Sequence, residues 1–176
     1  MANVAYGKFI YGMRDIKITN LAGTLQEDLD AAVKLLFTLD FEQAELKGDD
    51  VIKAVKNFPI SATGELEAGG YSSAAMSIML GKTLTTVGSS PNESTTLQID
   101  AGDSMPYFKV YGKALDDVGG DLHIYAMKAQ VTEIEFAGME GENWSMTSCT
   151  IKLLDDGSNG IAQFVQNETA VALPSS

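Results

Sequence analysis

Residues 39–68, LDFEQAELKGDDVIKAVKNFPISATGELEA, decide the fold class. Two strand-like runs, LDFEQAEL (39–46) and DVIKAVKNF (50–58), flank the turn residues Lys47, Gly48 and Asp49, which is a hairpin signal. A third run, residues 60–68, places Ser61, Thr63, Glu65 and Glu67 on one side and Ala62, Gly64 and Leu66 on the other. Successive strand side chains point to opposite faces, so this alternation predicts a half-buried antiparallel sheet. The polar side looks at water. It fits an outer solvated face and the wall of a water-filled channel equally well.

Working outward, the period changes after Gly69-Gly70. Ala75, Met76, Met79 and Leu80 form one stripe between serine caps and Gly81, which predicts a short helix over 71–81. Alternating runs return at 95–99, 106–114, 121–138 and 143–155, with DDVGG as the turn between the second and third. The run from Asp121 to Phe136 exceeds the usual strand length, so it bends at a bulge or projects beyond the domain. Residues 6–19 read as a strand or extended arm, 85–95 as a polar loop and 161–166 as a further strand. Residues 24–37 are ambiguous. Leu25, Leu29, Ala32, Val33 and Leu36 fit a helical stripe, and Thr24 with Glu27 fits a capping box, so helix and long loop both stand. The whole reads as a single mainly-β domain over 1–176, with an N-terminal arm or strand at 1–20 and a C-terminal tail at 157–176.

Twelve Lys and Arg against twenty-four Asp and Glu give a formal net charge of −12. Such a surface repels phosphate, so gripping the outside of nucleic acid is disfavoured, whereas surrounding a duplex without holding it is not. The one Cys149 excludes an internal disulfide, and nothing beside it suggests a zinc site. A reducing compartment is expected. The N-terminal residues lack the pattern of a signal peptide, and no apolar run is long enough to span a bilayer, so no membrane partner is expected.

Chemistry-bearing residues are few. His123 stands mid-strand without the partners that a triad or a multi-histidine metal site needs, and it reads as structural or interfacial. Cys149 reads as a small buried side chain. The acid pairs 49–50, 116–117 and 155–156 sit at turns, where Asp before Gly is ordinary turn chemistry. Glu65/Glu67 and Glu133/Glu135 recur at i, i+2, but no nucleophile–base pair, phosphate loop or metal set accompanies them. No catalytic activity, cofactor or metal is expected.

Six segments in series resemble the tail-tube proteins of siphophages, the long-tailed bacteriophages. They are YGMRDIKIT (11–19), LDFEQAELKGDDVIKAV (39–55), ELEAGGYSSAAMSIMLG (65–81), SSPNESTTLQI (89–99), MPYFKVYGKALDDVGGDLHIYAMKA (105–129) and WSMTSC (144–149). The resemblance implies a β-sandwich or barrel-like domain with one flanking helix. It implies hexameric rings whose inner sheets join into one β-barrel, stacked helically into a tube for DNA ejection. It places strands 39–46, 50–68, 106–114 and 121–132 in that barrel, and Glu42, Glu45, Glu65, Glu67, Glu133 and Glu135 toward the lumen. Lys47, Gly48, Asp49 and Asp50, the N-terminal arm and the C-terminal tail become ring-to-ring contacts. The implied partners are further copies of the chain, a tape-measure protein, tail-tip and terminator proteins, and double-stranded DNA that passes without specific binding. The implied location is the virion tail, assembled in the host bacterial cytoplasm. Two other readings stand beside this one. The first is the tube subunit of a contractile or secretion-type injection machine. The second is an unrelated β-sandwich binding module for a ligand such as carbohydrate, for which Trp144 and six scattered Tyr make a poor aromatic platform.

Overall fold

The computed structural model describes residues 9–29, 31–48, 51–135 and 146–174. Ten strands and one helix follow one another as β1 (Ile10–Asn20), β2 (Gln26–Asp28), β3 (Ala32–Gly48), β4 (Val51–Gly69), α1 (Ser73–Leu80), β5 (Thr85–Val87), β6 (Ser94–Thr96), β7 (Phe108–Asp116), β8 (Asp121–Glu135), β9 (Met146–Leu153) and β10 (Gln163–Asn167). Eight strands make one antiparallel sheet in the order β2-β1-β7-β8-β9-β4-β3, with β10 also on β8; β5 and β6 form a separate small hairpin.

The alternation in the sequence is the reason this sheet forms. On β9, Thr147, Cys149, Ile151 and Leu153 are buried, while Ser148, Thr150 and Lys152 stay half-exposed. On β4 the buried Ala62, Gly64, Leu66 and Ala68 alternate with Thr63, Glu65 and Glu67. Ile16 and Ile18 of β1, Phe108 and Val110 of β7, and Ala126 and Ala129 of β8 complete the core from the other side. The sheet curls over itself to enclose these residues. A Cβ on Gly112 of β7 would stand 2.3 Å from Cδ2 of Leu35, so β3 passes close above β7 and a bare backbone makes room. The helix covers the remaining apolar surface with Ala75, Met76, Ile78, Met79 and Leu80. Its ends are as the sequence predicts. Ser72 accepts the Ala75 amide, and Gly81 turns left-handed at φ 67° to return its N–H to Ser77.

Two readings change. Among the described residues of 24–37 there is no helix; they include β2 and the start of β3. The apparent capping residue Glu27 instead accepts the Ser72 hydroxyl at 2.9 Å and so supports α1. Ala31 has φ 51° and its carbonyl accepts the Gly69 amide, which breaks any helical turn there. Of the apolar stripe, Leu29 is buried but Leu25, Val33 and Leu36 face solvent. Next, the runs read as separate strands at 50–58 and 60–68 belong, from Val51 on, to one continuous strand, irregular where Asp40 pairs with Ser61 and Phe41 with Pro59. Pro59 is tolerated because it lies beyond Ala62, the last β4 residue paired with β9, where one side of β4 has no ladder to interrupt. In the sheet, β9 stands between β8 and β4. The long run from Asp121 bends at irregularities opposite Phe108/Val110 and at Val131/Glu133, as its length requires.

The C-terminal residues wrap the domain. β10 pairs with residues 121–125 of β8, and Leu173 is buried. Gly120 sits beneath this strap: a Cβ there would stand 2.2 Å from the Asn167 carbonyl oxygen and 3.1 Å from that of Glu168. Gly120→Ala is therefore expected to lift the strap and destabilise the fold by about 1–3 kcal/mol, the usual cost of overpacking. Thermal unfolding together with faster proteolysis within residues 161–174 checks this. An unchanged melting temperature and cleavage rate would show that the strap does not bear on Gly120.

Candidate functional site

Two features stand out on the folded chain, an acidic face of the sheet and an arm that leaves the domain.

The face is built by cross-strand register. Glu67 of β4 lies opposite Ser148 of β9, which lies opposite Glu135 of β8; in the next row Glu65, Thr150 and Glu133 are aligned in the same way. Four glutamates from two strands thereby flank a hydroxyl strip on the strand between them, around a shallow depression of about 260 Å³. Lys34 on β3 bonds Glu65 at the margin, and the bond raises the Lys34 pKa, chiefly through the hydrogen bond itself and then the Glu65 charge. Both groups are exposed, so solvent screens most of this attraction. Farther along, Asp40 of β3 takes Lys152 Nζ at 2.6 Å, Ser61 Oγ at 2.9 Å and Thr63 Oγ1 at 3.4 Å. The Lys152 bond first, then Ser61, holds Asp40 below the usual carboxylate range. Five carboxylates thus meet two lysines on one face. Among the described residues no group of three or more His, Cys, Asp or Glu is disposed to hold a metal ion, and no helix is long and apolar enough to cross a membrane.

The arm is the outer part of the β3–β4 hairpin. β9 ends at Leu153 opposite Ala62, and from there residues 51–60 of β4 and 41–47 of β3 are exposed, paired only with each other. Large apolar side chains are exposed along it, among them Phe41 at 60%, Leu46 at 65%, Val51 at 58% and Val55 at 50%. A two-stranded ribbon has marginal stability by itself in water, so this is a surface in want of cover.

The structure therefore brings Glu65, Glu67, Glu133 and Glu135 together. Glu42 lies on the arm on the same side as Asp40, two residues on along β3, and so extends that face; Glu45 lies on the other side of the arm, where it contacts Gln43 and Lys47. Lys47 and Gly48 reach the arm's end, whereas Asp49 and Asp50 fall outside the described residues, as do residues 1–8 and Trp144. Ser148, Thr150 and Lys152 were not among the expected face residues, although the strict alternation of 146–153 signals them.

His123 and Cys149 are interior. His123 Nδ1 is 2.7 Å from the Tyr125 hydroxyl and Nε2 is 3.1 Å from Asp121 Oδ2. Asp121, fully buried, also meets Lys113 at 3.1 Å and accepts the Asn167 side-chain amide and the Val171 N–H, each at 2.7 Å. This cluster ties the C-terminal strap to β8. Burial pushes the Cys149 thiol up to about 12, which leaves it unreactive.

No family model matches the chain, and no curated protein matches it. Solved structures do. The chain is similar to a protein of the tail of an empty GTA particle of C6 symmetry, at 13% identity over 86% of this chain and 95% of that one, TM-score 0.45. It is similar to one in the baseplate of the anti-feeding prophage, at 11% identity over 94% and 97%, TM-score 0.48. It is similar to one in the anti-feeding prophage cap, described as the tube terminating cap, at 12% identity over 93% and 95%, TM-score 0.50. At such identities the likeness is one of fold, and the last of the three supports it.

The buried cluster gives a pH prediction. Burial alone would raise Asp121, but the hydrogen bonds from Asn167, the Val171 amide and Lys113, with His123 nearby, outweigh it and hold the carboxyl at about 2. A depressed carboxylate stabilises the fold above its unfolded value of 3.8, and that contribution is lost as pH falls toward about 2. Denaturant unfolding between pH 5 and pH 2 is expected to show a decline in stability that is shallower in Asp121→Asn. Parallel declines in the two proteins would remove Asp121 as a source.

Proposed function

We propose that this chain is a structural, non-enzymatic subunit that polymerises as stacked hexameric rings into a phage tail tube, with the acidic face lining a conduit for DNA. The observation that carries the proposal is the β3–β4 hairpin. It carries the outward face of the sheet off the domain, with Glu42 next to Asp40, and bears exposed apolar residues that the subunit itself does not cover. Shared fold with a protein of a tube terminating cap supports the same reading. Joining sheets around a ring would remove the long free edge of β3, which otherwise invites uncontrolled pairing. A carboxylate-lined wall would keep a polyanion from adhering in transit. The partners are then further copies of the chain, tape-measure, tail-tip and terminator proteins, and double-stranded DNA passing without specific contact. The place of action is the virion tail, after assembly in the host bacterial cytoplasm.

A second reading, the tube subunit of a contractile or secretion-type injection machine, shares ring and fold. The likeness to the anti-feeding prophage cap fits it as well. A sheath gene beside the coding gene separates the two.

Electron microscopy of the polymerised protein is expected to show rings or tubes with a central hole. Because Lys34 already offsets Glu65, the sharpest lumen variant joins Glu67→Lys to Glu133→Lys. It is expected to assemble normally and to slow DNA release by roughly tenfold or more through attraction to the wall; failure to assemble would make these residues interfacial. On the arm, Val55→Asp is expected to leave monomer stability within about 0.5 kcal/mol while abolishing polymerisation. Normal polymers of that variant would remove the arm from assembly.

A further inference from the structure

The loop between β9 and β10 carries Asp155-Asp156-Gly157-Ser158-Asn159-Gly160, and its last two residues are the one Asn-Gly step in the chain. In such a step the backbone nitrogen of the glycine is within reach of the side-chain carbonyl carbon of the asparagine. A five-membered ring can close between them, and the glycine has no Cβ to hinder the approach.

The loop supplies conditions for that closure and a restraint upon it. Asn159 is exposed, so water reaches its side chain. The Gly160 N–H, which holds the attacking nitrogen, makes no hydrogen bond to the described residues. Its surroundings are open, since a Cβ on Gly160 would meet nothing within 4 Å. Gln163 Nε2 donates to Asn159 Oδ1 at 3.3 Å, and a donor there favours the negative charge that develops on this oxygen under attack. Against this, Asp156 grips the asparagine at two points. Its Oδ1 accepts the Asn159 backbone N–H at 2.6 Å and its Oδ2 the Asn159 side-chain amide at 2.7 Å. Oδ1 also accepts the Ser158 N–H at 2.9 Å. These bonds, that of the Asn159 N–H first, hold Asp156 at about 2, so it is ionised at neutral pH. An ionised carboxylate is a poor electrophile, which sets the Asp156-Gly157 step apart from Asn159-Gly160.

We propose that Asn159 is a site of spontaneous deamidation that Asp156 holds in check. The Gly160 nitrogen gives its proton to solvent base and bonds to Asn159 Cγ. The Cγ–Nδ2 bond breaks, and ammonia leaves with a proton taken from water. Water then opens the cyclic imide at either of its two carbonyls. One opening leaves aspartate, and the other leaves an isoaspartyl link that routes the backbone through the side chain. The net reaction is amide plus water to carboxylate plus ammonium. Either product removes the amide that Asp156 accepts and adds a carboxylate beside it. Two neighbouring anions repel, so the loop loosens where it leads into β10, and the C-terminal strap loosens with it.

Peptide mapping of the protein kept at mildly alkaline pH, in buffer and in urea, tests this. Conversion at Asn159 is expected in buffer. It is expected to run roughly fivefold faster in Asp156→Ala, the equilibrium factor of one net hydrogen bond. The same acceleration is expected for the unaltered chain in urea, which decides the matter if the variant misfolds. The converted fraction, separated by its added negative charge, is expected to be cleaved faster than the parent within residues 161–174. Absence of conversion at Asn159 even in urea overturns the site. A rate that is no higher once Asp156 is substituted or the chain unfolded overturns the restraint, and equal cleavage of the two fractions overturns the loosening of the strap.

Discussion

Everything in this sheet hangs on the backbone hydrogen bonds of β8. One of its edges is paired with β7, and the other is divided between two strands, β10 along residues 121–125 and β9 along 129–135. Unpaired amides and carbonyls are costly inside a fold, so the length of β8 obliges the chain to supply a strand for each stretch. The strap from the C-terminus answers the first stretch, and Asp121, at its start, fastens it through Asn167 and Val171. The second stretch is answered by β9, which hands the sheet on to β4. The acidic face exists because β9 stands there: without it, Glu65 and Glu67 would not share a surface with Glu133 and Glu135.

What could be read beforehand follows from what is local. The alternation through Ser61–Glu67 and the caps at Ser72 and Gly81 act over two to four residues, and both hold in the folded chain. Residues 24–37 misled because their signals belong to other elements. Glu27 supports Ser72 across a separation of 45 positions, and a run of leucines at helical spacing is spread between core and solvent. The pairing order was illegible for a related reason. Alternation tells which side of a strand is apolar, but no local rule says that residues 146–153 will separate β8 from β4. The same gap hid the place of Ser148 and Thr150 between the glutamates, although alternation shows which way they face; Glu45 differs, since three positions along a strand from Glu42 already put it on the opposite side.

The fold divides its labour by face and by end. Over residues 62–69 of β4 the inner side is buried and the outer side polar, which suffices for a stable subunit. Beyond Ala62 the same two strands go on, and among the described residues no third strand pairs with them. Apolar side chains are exposed on both sides of the arm there, Leu46 and Phe58 on the side of Glu42 and Phe41, Val55 and Ile52 on the other. Under the proposed function the same pair of strands would serve the domain at one end and assembly at the other.

The exposed arm has a kinetic meaning as well. Segments held only by their own ladder open locally at little free-energy cost, so the arm of an isolated subunit samples many conformations. In the proposed polymer, docking would have to order it, and that entropy would subtract from the contact energy. Two free subunits would then bind each other weakly, while a surface that already holds one arm in place would receive the next subunit against a preorganised template. Growth from an existing end would be favoured over spontaneous nucleation, and the marginal hairpin would act as a timer for when the polymer begins.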